Sequence, residues 1–208
     1  MLFGFSKVIT YAFVRLFFKM RYEGLENIPA EGGYILCSNH RSFLDPILLV
    51  HKEPHRINFM AKEELFKNRF VSWAIRDLGA FPVARGKGDT AAIDTATNVL
   101  RSGEVLLIFP EGTRSKDGRP LRVRSGIAVI SRLAWANVLC CSIDFGKKLR
   151  FRSPITLRYH PVLTPLQMGL DGQSTDAIKS AARMVMETIT SGLKSLPALP
   201  APEQSTES

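Results

Sequence analysis

Short apolar runs separated by stretches with helical spacing recur through the middle of the chain. Residues 34–38 (YILCS) read as a buried strand, and 57–60 and 80–83 are further strand candidates. Residues 105–109 (VLLIF) are apolar throughout and rich in branched side chains, the mark of a strand buried on both faces. Residues 138–145 and 155–159 add two more strands. Helical spacing predicts helices over 46–50, 90–101, 126–137 and 176–193, with Gly103 as a stop after the second. Strands alternating with helices predict an α/β fold, a largely parallel central sheet flanked by helices.

The first twenty residues, MLFGFSKVITYAFVRLFFKM, are the most apolar stretch. Lys7, Arg15 and Lys19 interrupt them, whereas a spanning helix needs about 20 consecutive apolar residues. No small-residue cleavage site marks a secretory signal. On a helical wheel Leu2, Phe5, Ile9, Ala12, Phe13, Leu16 and Met20 share one arc, with Ser6, Lys7, Thr10, Arg15 and Lys19 opposite. That distribution predicts an amphipathic helix lying in a membrane interface; the alternative is a helix packed on the protein's own core. The expected organisation is a membrane-associating helix over 1–20, a globular domain over 21–195 and a disordered, proline-rich tail over 196–208.

A chain of 208 residues holds one domain with a substantial core, and 45% hydrophobic with 23% charged residues excludes disorder, collagen and disulfide scaffolds. Three cysteines, with Cys140 and Cys141 adjacent, form no bridge framework and suit a reducing compartment. The net charge of +9 favours an anionic partner: nucleic acid, an acidic membrane face, or an acidic substrate or carrier. The cations are dispersed and the one dense aromatic stretch is mixed with aliphatics, which argues against nucleic acid.

Chemistry concentrates after the strands, where open α/β sheets bind ligands. Following YILCS comes Asn39-His40-Arg41-Ser42-Phe43-Leu44-Asp45-Pro46. On a continuous helix His40 and Asp45 would stand about 140° apart. Pro46 at the first helical position instead makes Asp45 the expected N-cap and leaves 40–44 as a turn. Such a turn can fold His40 onto the Asp45 carboxylate, which would fix the tautomer and leave the other ring nitrogen as a general base. An exposed loop histidine beside an ordinary Asp-Pro cap is the alternative.

After VLLIF stands Phe109-Pro110-Glu111-Gly112-Thr113-Arg114-Ser115. Gly112 permits close backbone approach, Thr113 offers a hydroxyl and Arg114 a planar fork for phosphate oxygens. Glu111 can orient that arginine or bind a substrate hydroxyl; a plain polar turn is the alternative. A third stretch, 79–86, ends a strand at Arg85, a possible second cation for a phosphate. It is not a Walker loop, since no glycine stands five residues before Gly86. His51 and His55 have a metal-like spacing, but Pro54 intervenes and no third ligand follows, so no metal is expected.

Together these segments resemble the glycerolipid acyltransferase family, specifically the 1-acylglycerol-3-phosphate acyltransferases. The resemblance rests on the N-H-x4-D motif at Asn39-His40 and Asp45, the strand ending at Arg85, and FPEGTRS at 109–115, and spans roughly residues 20–165. Lys62 in AKEELF also resembles a family position, a lone surface lysine being the alternative. The resemblance implies acyl transfer from acyl-CoA or acyl carrier protein to the sn-2 hydroxyl of lysophosphatidate, giving phosphatidic acid for phospholipid biosynthesis. His40 would be the base and Asp45 its orienter. Arg85 and Arg114 would hold the phosphate, with Gly112, Thr113 and Glu111 assisting. It further implies no cofactor beyond the thioester co-substrate, an anionic membrane surface as partner, and a peripheral or monotopic place on the cytoplasmic face of the cell membrane. Another acceptor, such as glycerol-3-phosphate, a lysophospholipid or an amino-lipid, and a non-catalytic lipid-binding module remain open. One departure stands out: the family's V-P-I-V-P-V strand is replaced by Val138-Leu139-Cys140-Cys141-Ser142-Ile143. The cysteines allow an acyl-cysteine intermediate or, more ordinarily, inert core thiols.

Overall fold

A computed structural model describes residues 3–83, 90–115, 117–146, 149–172 and 174–194. Seven strands form one sheet: β1 (Lys19–Glu23), β2 (Ile35–Ser38), β3 (Ile57–Lys62), β4 (Ala80–Val83), β5 (Val105–Ile108), β6 (Val138–Asp144) and β7 (Pro154–Tyr159). Their spatial order is β1-β7-β6-β2-β5-β3-β4. The run from β6 to β4 is parallel throughout, whereas β7 pairs antiparallel with β6 and parallel with β1. The expected α/β architecture is the one observed. Among the described residues six α-helices flank the sheet: α1 (Phe3–Phe17), α2 (Asp45–Val50), α3 (Arg69–Asp77), α4 (Thr90–Arg101), α5 (Gly126–Ala134) and α6 (Thr175–Ser191).

Alternation along the central strands splits the core in two. Ile35, Cys37, Leu106 and Cys140 face α4, α5 and α6, burying Leu100, Ile127 and Val185. Leu36, Leu107 and Leu139 face the opposite way, onto Leu48 and Leu49 of α2 and Val14 of α1. Every residue of β2 is buried, as expected of a parallel strand covered on both faces. α5 stops three residues before the predicted end because Trp135 turns left-handed (φ 50°), with its N–H bonded to Ser131 and Arg132 carbonyls.

Two elements escaped the sequence reading. β1 (KMRYE) is a charged edge strand whose Met20 had looked helical; it pairs with Ile155 instead, so the N-terminal helix ends at Phe17. α3 buries no side chain and so leaves no core stripe, although Asn68 is a legible N-cap that accepts from the Phe70 and Val71 amides. α1 packs on the core, as one of the two expected alternatives has it, but along a different line of residues from the predicted apolar arc. Val14, off the predicted apolar arc, is fully buried against the core, while Ala12 and Leu16, on that arc, are exposed. The side chains of Leu2, Phe5 and Ile9 and the tail over 196–208 lie outside the described residues.

The closing helix is tied to the sheet by polar contacts. Ser142 Oγ donates to the Ile189 carbonyl (2.5 Å) and meets His160 Nε2 at 2.7 Å. Burial, and then the nearby Arg158, lowers the His160 pKa from its ordinary 6.5, so folding favours the neutral ring. A depressed histidine adds no penalty above its unfolded pKa and destabilises the fold as pH drops below it. Thermal melts should therefore show Tm falling as pH drops from about 7 to about 5, and less steeply in His160→Asn. Equal slopes in the two proteins would show that His160 does not carry this dependence.

Candidate active site

β2 and β5 are neighbours in the sheet, so the segments leaving their carboxyl ends meet. The first leaves β2 through Asn39, whose side chain is buried and bridges to β6: its Nδ2 donates to the Ile143 carbonyl (3.0 Å) and its Oδ1 accepts from the Ile143 amide (2.8 Å). This fixes the strand end from which His40 projects. Asp45 Oδ2 then accepts three donors: His40 Nδ1–H at 2.8 Å and the amides of Arg41 and Ser42 at 2.6 and 2.7 Å. The expected contact between His40 and Asp45 is thus formed, in a turn closed by a fully buried carboxylate.

The expected capping role is not. Asp45 is the first residue of α2 and its side chain reaches back into the turn, with no side-chain cap bond at this helix. Leu44 takes the cap position in its place, and the Asp45 Oδ2 is held by the three donors of the preceding turn. His40 is not the exposed loop residue of the alternative reading, its side chain being 14% exposed. With the Nδ1 proton directed at a carboxylate, Nε2 carries the lone pair. The ring stacks on Phe109, centroids 4.0 Å and planes 17° apart, so packing as well as hydrogen bonding holds its orientation.

The second segment braces the first. Glu111 Oε1 accepts from the His40 amide and Oε2 from the Leu121 amide, both at 3.0 Å. Glu111 is 3% exposed, and burial raises its pKa despite these two bonds. Its carboxylate does not present itself to a substrate hydroxyl or to Arg114, as the sequence reading expected; both oxygens are committed to backbone. Ser115 N–H adds a bond to the His40 carbonyl (2.8 Å).

Arg114 and Thr113 are exposed, and the Arg114 guanidinium lies 3.3 Å from the ring centroid of Phe43, in the turn between His40 and Asp45. That stack brings the two motifs together at the rim of the site. Gly112 has φ +68°, a left-handed conformation that favours glycine, and the exposed Arg124 side chain lies against it. Arg85 lies outside the described residues. Lys62 pairs with Glu64 at 2.8 Å on the surface.

Sequence reasoning missed Arg41, which donates to the Phe145 and Gly146 carbonyls (2.7 and 3.0 Å) and covers the Phe145 ring. No spacing signalled it, because its acceptors lie about a hundred residues away on the β6–β7 connection. Cys37, Cys140 and Cys141 are fully buried, and burial pushes their thiols up, Cys140 to about 12, as inert core thiols behave. His51 stacks on Tyr11 and its Nδ1 hydrogen-bonds the Tyr22 hydroxyl, while His55 bonds to the Pro29 carbonyl, so the two rings serve separate contacts.

Comparison with known proteins bears on this arrangement directly. A family profile described as Acyltransferase matches residues 19–144, from β1 through β6. The chain belongs to the acyltransferase family. A 1-acyl-sn-glycerol-3-phosphate acyltransferase of Bacillus subtilis is 38% identical over 98 residues, covering 47% of this chain and 49% of that protein. One from Streptococcus pneumoniae is 34% identical over 140 residues, 66% of this chain and 48% of that protein. The chain thus matches about half the length of these curated relatives. The crystal structure of a 1-acyl-sn-glycerophosphate acyltransferase from Thermotoga maritima superposes with TM-score 0.72 at 27% identity, covering 95% of this chain and 81% of that one. The acyltransferase match includes both motif segments, so His40, Asp45 and the 109–115 segment lie within the family's shared core.

The brace predicts a stability cost when it is removed. Glu111→Ala leaves two amides without their acceptors, and urea denaturation should register a loss of about 1–3 kcal/mol. Glu111→Gln should also destabilise, because its amide nitrogen would face one of the two N–H donors. Wild-type stability in both variants would refute the bracing role.

Proposed function

We propose that this chain transfers an acyl group from a thioester, acyl-CoA or acyl carrier protein, to the sn-2 hydroxyl of lysophosphatidate. The observation that carries the reading is the His40–Asp45 pair, pinned at the end of β2 beside the FPEGTRS turn. The names of the relatives support the choice of acceptor. His40 Nε2 takes the hydroxyl proton as the oxygen attacks the thioester carbonyl. Asp45 meanwhile stabilises the imidazolium through Nδ1–H. Collapse of the tetrahedral intermediate forms the ester and breaks the carbon–sulfur bond, and the departing thiolate takes the proton back from His40. General-base help of this kind contributes about 10²–10⁴-fold, and holding hydroxyl and carbonyl together contributes further. Arg114 and the Thr113 hydroxyl hold the acceptor phosphate, with Arg85 as a second cation. Glu111 acts through the backbone it braces.

A lipid acceptor calls for a membrane-seated enzyme, and the reading includes a peripheral or monotopic position on the cytoplasmic face of an anionic membrane. Supporting it, Val8 and Leu16 of α1 point outward at 66% and 62% exposure while Val14 anchors the helix to the core. No helix among the described residues is long and apolar enough to cross a membrane. Basic residues beside an anionic leaflet add about 1 kcal/mol each.

The test follows thiol release from oleoyl-CoA and oleoyl-acyl carrier protein with lysophosphatidate, with glycerol-3-phosphate and with no acceptor. Wild type should require lysophosphatidate, and His40→Ala should lose about 10²-fold or more while remaining folded. Release without acceptor would identify a thioesterase instead. Arg114→Ala should raise the KM for lysophosphatidate and leave the KM for the thioester unchanged. A change confined to donor saturation would overturn the phosphate assignment.

A further inference from the structure

Among the described residues α3 is the one α-helix with no buried side chain. Phe70 is 87% exposed, Trp73 65% and Val71 40%. At roughly 100° per residue Trp73, Phe70, Ala74 and Val71 share one outward arc, which in the last turn also takes in Asp77. Arg69 and Arg76 border that arc and Lys67 precedes it. The helix's own carboxylate, Asp77, sits half-buried at its end, and on the preceding turn Glu64 is paired with Lys62. Large aromatic side chains facing water beside cations mark an interaction surface rather than a solvated face.

The position of α3 identifies what it meets. The β2-α2-β3 and β3-α3-β4 connections step in the same direction across the sheet, so right-handed crossovers put α2 and α3 on one face. α1 shares the α2 core cluster and so lies on that face too. α3 also follows the carboxyl end of β3, the sheet edge from which His40 projects. We propose that the outer face of α3 is a second membrane-docking surface, which seats Phe70 and Trp73 at the head-group boundary of an anionic phospholipid leaflet. Lys67, Arg69 and Arg76 complement the leaflet's charge, in keeping with the chain's +9. An amphipathic Trp ring suits that boundary. A purely electrostatic partner would have no use for a phenylalanine this exposed. The inference rests on the membrane seating proposed above but not on the identity of the acceptor.

The chain's two tryptophans make the test direct: Trp73 is on α3, and Trp135 ends α5 on the opposite face. The full chain carrying Trp135→Phe is mixed with vesicles of equal parts phosphatidylglycerol and phosphatidylcholine, the latter brominated on its acyl chain. Trp73 emission should shift to the blue and be quenched, whereas the sole Trp135 of the Trp73→Phe chain should not. In flotation, Phe70→Ser combined with Trp73→Ser should lower vesicle partition about tenfold or more. Vesicle-bound protein with unquenched Trp73 would overturn the α3 contact while leaving the α1 seating intact. Failure of the full chain to float would overturn both. A Trp73 response to acidic acyl carrier protein but not to vesicles would assign the surface to a protein partner and overturn the proposal.

Discussion

A single buried carboxylate oxygen organises the centre of this molecule. Asp45 Oδ2 gathers His40 Nδ1 and the Arg41 and Ser42 amides, closing the turn that leaves β2. A carboxylate with no exposure is expensive to bury, and charge-assisted bonds to several donors are what make it tolerable. The same three bonds that compensate the charge at Oδ2, Oδ1 being buried without a hydrogen-bond partner among the described residues, also set the direction and tautomer of the imidazole. Folding of the turn and orientation of the His40 ring are therefore one event.

The surroundings extend that logic. Glu111 and Arg41 are both removed from water to a large degree, and each is committed to backbone groups rather than to an opposite side-chain charge. Each links segments far apart in sequence: Glu111 joins the strand end at His40 to Leu121, and Arg41 joins the turn to the β6–β7 connection. Asn39 does the same for β2 and β6. Loops that hold reacting groups need such ties, because their own sequence gives them no periodic hydrogen bonding. Thr113 and Arg114, the latter stacked on Phe43, are exposed at the rim, outside this braced frame.

On one side of the sheet the molecule divides its apolar residues between two duties. Val14 of α1 completes the core while neighbouring turns of the same helix face outward, and α3 keeps all its aromatics outside. A helix whose apolar residues all served the core would show one stripe; α1 carries apolar residues on both a buried and an exposed face, and so the wheel alone could not identify the packed one.

The strands at 105–108 and 138–144, the helix at 90–101 and the pairing of His40 with Asp45 were legible in the chain, because burial on both faces and local turn chemistry leave short-range signatures. The motif residues and their order were legible for the same reason. β1 was not, since an edge strand of alternating charge gains its identity only from its partner β7, some 135 residues away. α3 was not, since it contributes nothing to the core. The direction of the Asp45 carboxylate, the commitment of both Glu111 oxygens and the reach of Arg41 were decided by tertiary contacts alone. A side chain's donors and acceptors are chosen among groups that only the folded chain brings within about 3 Å. Sequence could name the chemically capable residues; packing determined which of them face solvent and which hold the frame.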